Sequence, residues 1–330
     1  MYTFRVTSDV DECAELWKTL IPARQISDLW EVRECFHRHY NHRLHFIVCE
    51  AKGRVRGFLP LCYNEEVDVY QWFPGETWHG KTWLEQNRLV TTDVSMTRQM
   101  LSMIPGRFEL RYLCEPDGTH AGRLAVDEIS YTFGPAQYDF DINRYFEAFS
   151  HKSAKRLRRE LEQFDARGVE VRLNEHDDLE TMIAMNISRY GEDSYFFDPR
   201  FLRSFRSLTR LLKVRGWLRV TAMVIDGQVA AVDLGSVYNS HYTLLAGGVS
   251  RAFPGIAKYI NVYHMNWACE NHLASVDFLC GDFNWKTQFH LTAKPLYELT
   301  DEHDLRYHDT PTLVAQPSMT AIRPAGGARV

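Results

Sequence analysis

The sequence predicts a mixed α/β fold, with α+β mixed sheets, arranged as two side-by-side halves. The chain has 330 residues, a length that usually corresponds to about two domains. Helical and strand-like segments alternate along both halves, and a three-stranded meander with tight turns forms the centre of the second half. A hydrophobic content of 45% is ordinary for a globular protein with a large core.

The first half, predicted over residues 1–138, begins with two helices and continues into strands. The helices are predicted from Asp11 to Leu20 and from Ser27 to Tyr40. Two strand-like runs flank AKGR in LHFIVCEAKGRVRGFLPLCY, which indicates a hairpin. VDVYQWF and RFELRYL are predicted as further strands. FPGETWHGKTWLEQNRL, rich in Gly and Trp, has no clear period and is predicted as a loop.

The second half, predicted over residues 139–308, opens with the basic helix HKSAKRLRRELEQFDARG. The strand VEVRL and a helix around residues 179–190 follow. WLRVTAMVI, QVAAVDLGSVY and HYTLLAGGVS are predicted as an antiparallel meander, because the pairs Asp-Gly and Asn-Ser that join them favour tight turns. A helix from Ile256 to about His272, the strand SVDFLCG and a loose tail over 309–330 complete the prediction.

Composition limits the possible partners and locations. A net charge of −5 gives no global basic field for non-specific nucleic-acid binding. The seven cysteines include no CxxC pair, and the fourteen histidines show no metal-ligand spacing, so we expect no metal site and a reducing, cytoplasmic compartment. No apolar run approaches the roughly 18 residues of a membrane helix, and we expect no membrane insertion.

One loop has the features of a phosphate site. Gly255, Ile256 and Ala257 follow a strand and open a helix, where backbone N–H groups commonly bind anions. Pro-Gly before a helix is also a common structural start, so both interpretations stay open. The basic residue expected before such a loop is not in register, because Arg251 lies one position too early and Ala252 occupies the expected place.

Three segments carry a family resemblance. Residues 277–286, DFLCGDFNWK, resemble the D-F-x-x-G-x-x-x-Y-K segment of the CelD-like, FemAB-like branch of the GNAT superfamily, with Trp285 in place of the tyrosine. SAKRLRRELEQFDARGVEV resembles the basic helix before the second domain of that branch, and GRVRGFLPLCY resembles its hairpin. The similarity spans most of residues 30–290.

The resemblance implies two GNAT-like domains packed side by side and an N-acyltransferase activity. The donor would be an acyl-CoA or a carrier thioester, and the acceptor an amine that is a small molecule or bound to a carrier. A FemAB-like transfer of an aminoacyl group from charged tRNA is the second hypothesis, favoured by the basic helix. A degenerate, non-catalytic binding protein is the third. The oligomeric state is not predicted.

The candidate catalytic residues are Asp233, Lys286 and Tyr242. Asp233 lies mid-strand, where a carboxylate facing a cleft could deprotonate an amine, or a structural aspartate could be paired inside the core. The resemblance places Lys286 against a substrate carboxylate or phosphate, with a surface ion pair to Asp282 as the alternative. We expect Asp233 and Lys286 to face one cleft.

The cofactor-binding candidates belong to the strand and loop before the last long helix: Gly247, Gly248, Val249, Arg251, Gly255, Ile256 and Ala257. In the fold that the resemblance implies, a bulged strand presents its N–H groups to the thioester carbonyl, and we expect this bulge at Gly247 and Gly248.

The substrate-binding candidates come from three segments: Lys155, Arg156 and Arg159 on the basic helix, Glu85 and Asn87 in the loop, and Asp282. The basic helix could hold phosphates or be an ordinary solvated face. The LEQN loop suits recognition in an interdomain cleft, although a plain surface loop is the alternative.

Overall fold

A computed structural model describes residues 2–91, 93–114, 124–281 and 284–301 of the chain. Within these residues, twelve strands form one continuous mixed sheet, and a small two-stranded hairpin stands apart from it. Helices cover both faces of the sheet. The predicted mixed α/β fold is therefore confirmed.

The first half contains the two predicted helices and the predicted hairpin, together with β1 and β8, which were not predicted. Its elements are β1 (Thr3–Thr7), α1 (Val10–Leu20), α2 (Trp30–Tyr40), β2 (Arg43–Ala51), β3 (Arg54–Asn64), β4 (Val69–Trp72), β5 (Thr77–Trp78), β6 (Lys81–Thr82), α3 (Val94–Leu101), β7 (Phe108–Leu113) and β8 (Ala125–Phe133). The predicted loop FPGETWHGKTWLEQNRL contains the hairpin β5–β6, and the helix α3, which was not predicted, follows it.

The second half adds the long helices and the meander. Its elements are α4 (Ile142–Glu147), α5 (His151–Asp165), β9 (Glu170–Leu173), α6 (His176–Tyr190), α7 (Pro199–Val214), β10 (Leu218–Ile225), β11 (Gln228–Tyr238), β12 (His241–Val249), α8 (Ile256–Glu270), β13 (Ser275–Cys280), α9 (Asn284–Gln288) and β14 (Thr292–Thr300). The predicted tail, 309–330, lies outside the described residues.

Local chemistry explains where the main helices begin. The Asp9 side chain accepts a hydrogen bond from the N–H of Glu12 at the start of α1. Ser150 caps α5 in the same way, and Asp198 caps α7 just before Pro199. Such caps satisfy N–H groups that have no partner within the helix, typically for about 1 kcal/mol.

The strand order shows that the two halves repeat one pattern. The sheet runs β1-β2-β3-β4-β7-β14-β8-β13-β12-β11-β10-β9. The first half thus contributes an antiparallel run that ends in the parallel pair β4–β7, and the second half contributes a mirrored run that ends in the parallel pair β12–β13. Each parallel pair is joined by a helix connection, which parallel neighbours require.

The centre of the sheet joins the halves. β14 lies between β7 and β8, so the last described strand of the second half pairs with the first half. β8, which precedes residue 138, pairs with β13. The predicted boundary near residue 138 therefore divides the sequence and does not divide the sheet; the boundary itself stays a prediction.

Each face of the second half's sheet has its own core. On one face, Leu245 and Val232 pack with Leu208 of α7 and with residues of α2 and α6. On the other face, Tyr242 packs with Met265 of α8. We call these the α7 face and the α8 face, respectively.

Candidate functional site

The strands β12 and β13 separate part-way along their length. Within the described residues they pair only over His241–Thr243 and Ser275–Asp277, and the remainder of β12 pairs only with β11. Leu279 adopts a left-handed conformation with φ of 59°, which turns β13 away from β12. We call the place where the two strands diverge the split. It leaves one edge of β12 without a neighbouring strand.

A β-bulge on β12 lies beside the split. Leu234 pairs with Ala246 while the next residue, Gly235, pairs with Leu244, so Leu245 is the extra residue of the bulge. Leu245 and Ala246 consequently both face the α7 face. A bulge changes the direction of a strand, which is consistent with the divergence from β13.

The bulge predicted in LLAGGVS lies in that segment, at Leu245, but not at Gly247 and Gly248. Gly247 pairs in register with Asp233, and Gly248 with Val232. A Cβ on Gly248 would lie 2.7 Å from the carbonyl oxygen of Met182, so this glycine allows α6 to pack closely on the strand. A Cβ on Gly247 would lie 2.4 Å from a carboxylate oxygen of Asp233. Both glycines have packing roles here.

Asp233 is turned into the core and does not face the split. It is 4% exposed on the α8 face, and its Oδ2 lies 3.1 Å from Nε2 of His264, which has no exposed surface. The expectation that Asp233 faces a cleft is wrong, because the parity of β11 places it under α8. Its pairing with His264 under α8 is that of a structural, buried aspartate.

Tyr242 is buried on the same face. Its ring contacts His264 and Trp267 and lies over Gly235, where a Cβ would come within 2.3 Å of the ring. Among the described residues, its hydroxyl has no hydrogen-bond partner. Burial, and then the charge of Asp233, raise the pKa of Tyr242 well above its usual value. This phenol is therefore not exposed to a substrate as the structure stands.

Lys286 binds backbone carbonyls at the end of β13. Lys286 is 2% exposed, and its ammonium donates to the carbonyl oxygens of Phe278, Leu279 and Cys280 at 3.0, 2.9 and 2.7 Å. An ammonium has three N–H donors, and these three bonds use them. The expected contact with a substrate anion is therefore wrong for this arrangement, and Asp233 and Lys286 do not share a cleft. Asp282, its predicted ion-pair partner, lies outside the described residues.

Glu85 and Gln86 reach from the first half to the split. Both carboxylate oxygens of Glu85 accept the backbone N–H of Cys280 at 2.9 Å. The side chain of Gln86 donates to Oδ2 of Asp277 at 2.5 Å. Burial is the main cause of the altered pKa values: it raises the pKa of Glu85 to about 7, raises that of Asp277 and lowers that of Lys286.

A small cavity lies at this junction on the α7 face. We call it the inner cavity; its lining includes Ser27, Glu85, Gln86, Thr243, Leu245 and Asp277. It encloses about 30 Å³, which is room for one or two water molecules. The predicted recognition loop therefore lies between the halves, buried at the split, and not at the outer surface.

In the first half, the position equivalent to the split is filled by the chain itself. Asn87 lies beside β7, where its N–H donates to the carbonyl of Tyr112 and its own carbonyl accepts the N–H of Cys114. The Asn87 side chain accepts from Arg33 and donates to the carbonyl of Arg111, both at 2.7 Å. Asn87 thus has a structural role at the end of β7.

A larger cleft opens on the α8 face. We call it the outer cleft; it has a volume of about 440 Å³ and includes Ser153, Arg156, Glu160, Lys258, Thr287 and His290 in its lining. Its Phe289 packs in the same core cluster as Tyr242 and Phe278. Glu160 lies 2.6 Å from Lys258 and 3.9 Å from Arg156. Of the three basic-helix candidates, Arg156 lines this cleft, while Lys155 and Arg159 are exposed beyond it.

The start of α8 is partly occupied by its own turn. The N–H groups of Ile256 and Lys258 donate to the carbonyls of Phe253 and Gly255 at 3.2 and 3.0 Å. Gly255 has φ of 92°, a conformation that favours glycine, whereas Ile256 is a core residue. Ala257 is exposed on the first turn.

The remaining loop candidates lie beside this helix start. Arg251 is exposed in the turn after β12, and Val249 pairs with Ala231. A phosphate site at the start of α8 stays a prediction. In the described part of the chain, no group of three or more His, Cys, Asp or Glu side chains is arranged to hold a metal ion. None of the helices described there is long and apolar enough to span a bilayer.

A known domain family matches part of the chain. The sequence model of the acetyltransferase (GNAT) domain matches residues 151–287. This stretch contains the basic helix, the meander, the split and Lys286. No curated protein sequence matches the chain.

Solved structures extend the likeness to both halves. FemX has a TM-score of 0.56 at 11% identity, covering 92% of this chain and 99% of that one. A tandem GNAT protein from the clavulanic acid biosynthesis pathway has a TM-score of 0.50 at 11% identity, covering 91% and 98%. The chain has a tandem, FemAB-like GNAT fold. The C-terminal domain (DUF2156) of a putative lysylphosphatidylglycerol synthetase from Agrobacterium fabrum is similar to this GNAT fold, with a TM-score of 0.54, 13% identity and coverage of 91% and 96%.

The GNAT family match supports a transferase of the N-acyltransferase type.

Sequence reasoning missed two residues of the GNAT half that the structure places at its openings. Lys258 in the outer cleft follows the predicted loop by one position, so its place on the first turn of α8 was the available signal. Asp277 was noted only as part of a motif, although a carboxylate inside the apolar run SVDFL indicates a buried polar contact.

Proposed function

We propose that the protein transfers an acyl group from a coenzyme A or carrier thioester to an amine at the split between β12 and β13. One observation carries the proposal: among the described residues β12 pairs with β13 only over His241–Thr243, and a carboxylate-lined cavity lies beside the edge that this leaves unpaired. A thioester is already activated, so catalysis mainly requires positioning of both substrates and removal of a proton.

The outer cleft suits the phosphate end of the donor. Arg156 and Lys258 approach it from two helices, and a volume of about 440 Å³ is in the range of small-molecule sites. Glu160 holds both basic groups when the cleft contains no anion. A phosphate would compete with this carboxylate, because charge-assisted bonds to phosphate are among the strong hydrogen bonds.

The unpaired edge of β12 suits the acyl end of the donor. Backbone N–H groups along an edge without a neighbouring strand can donate to a carbonyl oxygen, which stabilises the charge that develops during acyl transfer. In the first half the chain at Asn87 pairs with the end of β7, so the place beside that strand is filled. We therefore assign the donor to the second half alone.

Aminoacyl transfer from charged tRNA is the second candidate, and one observation favours it. Lys155 and Arg159 are exposed on α5 beside the outer cleft, so the basic surface extends beyond what a nucleotide-sized donor would cover. A protein that only binds ligands is the third candidate.

Two binding measurements separate these candidates. Native mass spectrometry identifies any ligand that the purified protein retains, and calorimetry measures binding of coenzyme A and of an unfractionated tRNA pool. Saturable binding of coenzyme A, together with release of free thiol from acetyl-CoA in the presence of amines, supports the proposal. Binding of tRNA without binding of coenzyme A supports the second candidate. If the protein releases no thiol from any thioester, the proposal is contradicted.

A further inference from the structure

Glu85 is a carboxylate of the first half that is held at the split of the second half. It is 6% exposed, and both of its oxygens lie 2.9 Å from the backbone nitrogen of Cys280. Cys280 directly follows Leu279, whose left-handed conformation turns β13 away from β12. The carboxylate therefore lies where the two strands begin to separate.

The segment that carries Glu85 is fixed from both sides. The guanidinium of the buried Arg33 donates to the carbonyls of Ser27 and Phe73 and to the side chain of Asn87, at 2.8, 2.7 and 2.7 Å. Gln86 is bonded to Asp277 on β13. A catalytic group works best when its neighbours hold it in one geometry, and these bonds do so for Glu85.

The inner cavity provides a path from Glu85 to the split. Its volume of about 30 Å³ accommodates one or two water molecules. Ser27, Gln86, Thr243 and Asp277 supply polar groups in the lining besides Glu85 itself. A polar cavity of this size satisfies the conditions under which a buried water forms several hydrogen bonds.

We propose that Glu85 is the general base that takes the proton of the acceptor amine, through water in the inner cavity, during acyl transfer at the split. The inference rests on the proposed function. The amine nitrogen forms a bond to the thioester carbonyl carbon, and the carbon–sulfur bond then breaks. One amine proton passes to Glu85, and the departing thiolate takes up a proton, so the products are an amide and a free thiol.

The charges around Glu85 suit this role. Burial and the neighbouring Asp277 raise its pKa to about 7, while the bonds from Cys280 and the charge of Lys286 oppose this rise. A base that ionises near neutral pH is efficient under physiological conditions. Other ionisable side chains that interact with Glu85 are Tyr112, Tyr195 and the thiol of Cys280, and burial raises the pKa of all three.

The alternative is that Glu85 only binds the N–H of Cys280. Glu85→Gln separates the two roles, because the amide oxygen can still accept this N–H while the amide cannot take a proton. Glu85→Asp keeps the acid and shortens the side chain by one methylene. Glu109→Gln is the matched control: Glu109 is a half-buried glutamate of the first half whose pKa is also raised by burial, on β7 and 3.8 Å from Arg111.

The experiment measures release of free thiol from acetyl-CoA with spermidine, glucosamine and lysine as acceptors, over pH 5.5–9, for the full chain and the three variants. We expect Glu85→Gln to lower kcat by about 100-fold or more with an unchanged KM for acetyl-CoA. For the wild type and Glu109→Gln, we expect kcat to rise with pH, with a midpoint near pH 7. For Glu85→Gln, we expect this rise to be absent. Glu85→Asp is expected to retain the rise with a reduced kcat.

Two results would overturn the inference, and they differ. If Glu85→Gln folds and keeps both kcat and the rise with pH, Glu85 has only the structural role while the proposed function stands. If the wild-type protein releases no thiol with any acceptor, the proposed function fails and the inference fails with it. The Glu85→Asp variant decides the case in which Glu85→Gln does not fold, since loss of the rise in that folded variant contradicts the proposal.

Discussion

Glu85 in the first half and Cys280 in the second half, 195 positions apart, are joined by a hydrogen bond from the Cys280 N–H to both carboxylate oxygens, at 2.9 Å each. The bond places a buried carboxylate between the halves. Because burial raises the pKa of Glu85 from 4.5 to about 7, the buried position of this carboxylate makes the stability of the protein depend on pH.

The first prediction concerns that dependence. Between pH 4.5 and 7, folded Glu85 keeps a proton that the unfolded chain has lost, so the free energy of unfolding falls as pH rises. The rise in pKa corresponds to about 3 kcal/mol, lost in full above pH 7. Glu85→Gln should therefore gain stability relative to wild type by up to this amount between pH 4 and 8. Denaturant titrations at several pH values measure it, and parallel curves for the two proteins would contradict it.

The second prediction concerns Lys286. Lys286→Met removes the donor to three carbonyls and the charge that partly balances Glu85 and Asp277. Breaking a buried charged contact in this way should lower the free energy of unfolding by about 3 kcal/mol. Lys294→Met, at an exposed position of β14, is the control and should have little effect. Equal melting temperatures for the two variants would contradict this structural role and favour a role of Lys286 in substrate binding.

The third prediction concerns Asp233. Asp233→Asn weakens the contact with the buried His264 and should lower the free energy of unfolding by about 2 kcal/mol. The folded variant should keep its kcat, since Asp233 does not reach the split. Thermal melting and turnover, measured on one preparation, test both statements. A fall in kcat of about 100-fold at an unchanged melting temperature would show that Asp233 acts as a base after all.

The fourth prediction concerns Gly248. In Gly248→Ala the new methyl group would lie 2.7 Å from the Met182 carbonyl and 2.8 Å from Cβ of Met185, so α6 must move off the sheet. We expect a loss of about 2 kcal/mol in the free energy of unfolding. Gly106→Ala is the control, because its nearest new contact is 3.5 Å from the ring of Tyr70. If both variants are equally stable, close packing of α6 does not explain this glycine.

The fifth prediction concerns the outer cleft. Replacing both Arg156 and Lys258 by alanine should weaken coenzyme A binding by about 10-fold or more, as expected when charged contacts to phosphate are removed. Lys155→Ala, on the same helix and exposed beyond the cleft, should leave the affinity unchanged. Calorimetry at two salt concentrations measures the effect. Equal affinities for the double variant and the wild type would place the donor elsewhere.

The sequence predicted the elements best where local chemistry determines them. The turns of the meander adopt the left-handed backbone that was expected: Asp226 and Gly227 have φ of 52° and 73°, and Asn239 and Ser240 have φ of 48° and 61°. Alternation and helical periods located several of the other strands and helices, but not β8, α7 or β14. The FemAB-like GNAT fold was predicted from short segments that resemble the family. Each resemblance is weak by itself, but their order along the chain is informative.

The site was harder to predict because it depends on register and on distant contacts. The side of the sheet that Asp233 faces is a matter of strand parity, which a sequence pattern with valines and leucines on both sides does not determine. The extra residue at Leu245 moves the bulge two positions from the glycines that suggested it. The hydrogen bond between Glu85 and Cys280 joins two distant segments, and no pattern in the sequence indicates that they are in contact.

The position of β14 has a consequence for how the protein is made. On the ribosome, β7 and β8 are synthesised long before Thr292–Thr300, the strand that fills the gap between them. Until translation reaches that strand, the nascent first half presents open edges on which a neighbouring chain could add a strand. Neither half is therefore a self-sufficient unit for expression, and premature termination before Thr292 would yield a polypeptide prone to aggregate through these edges.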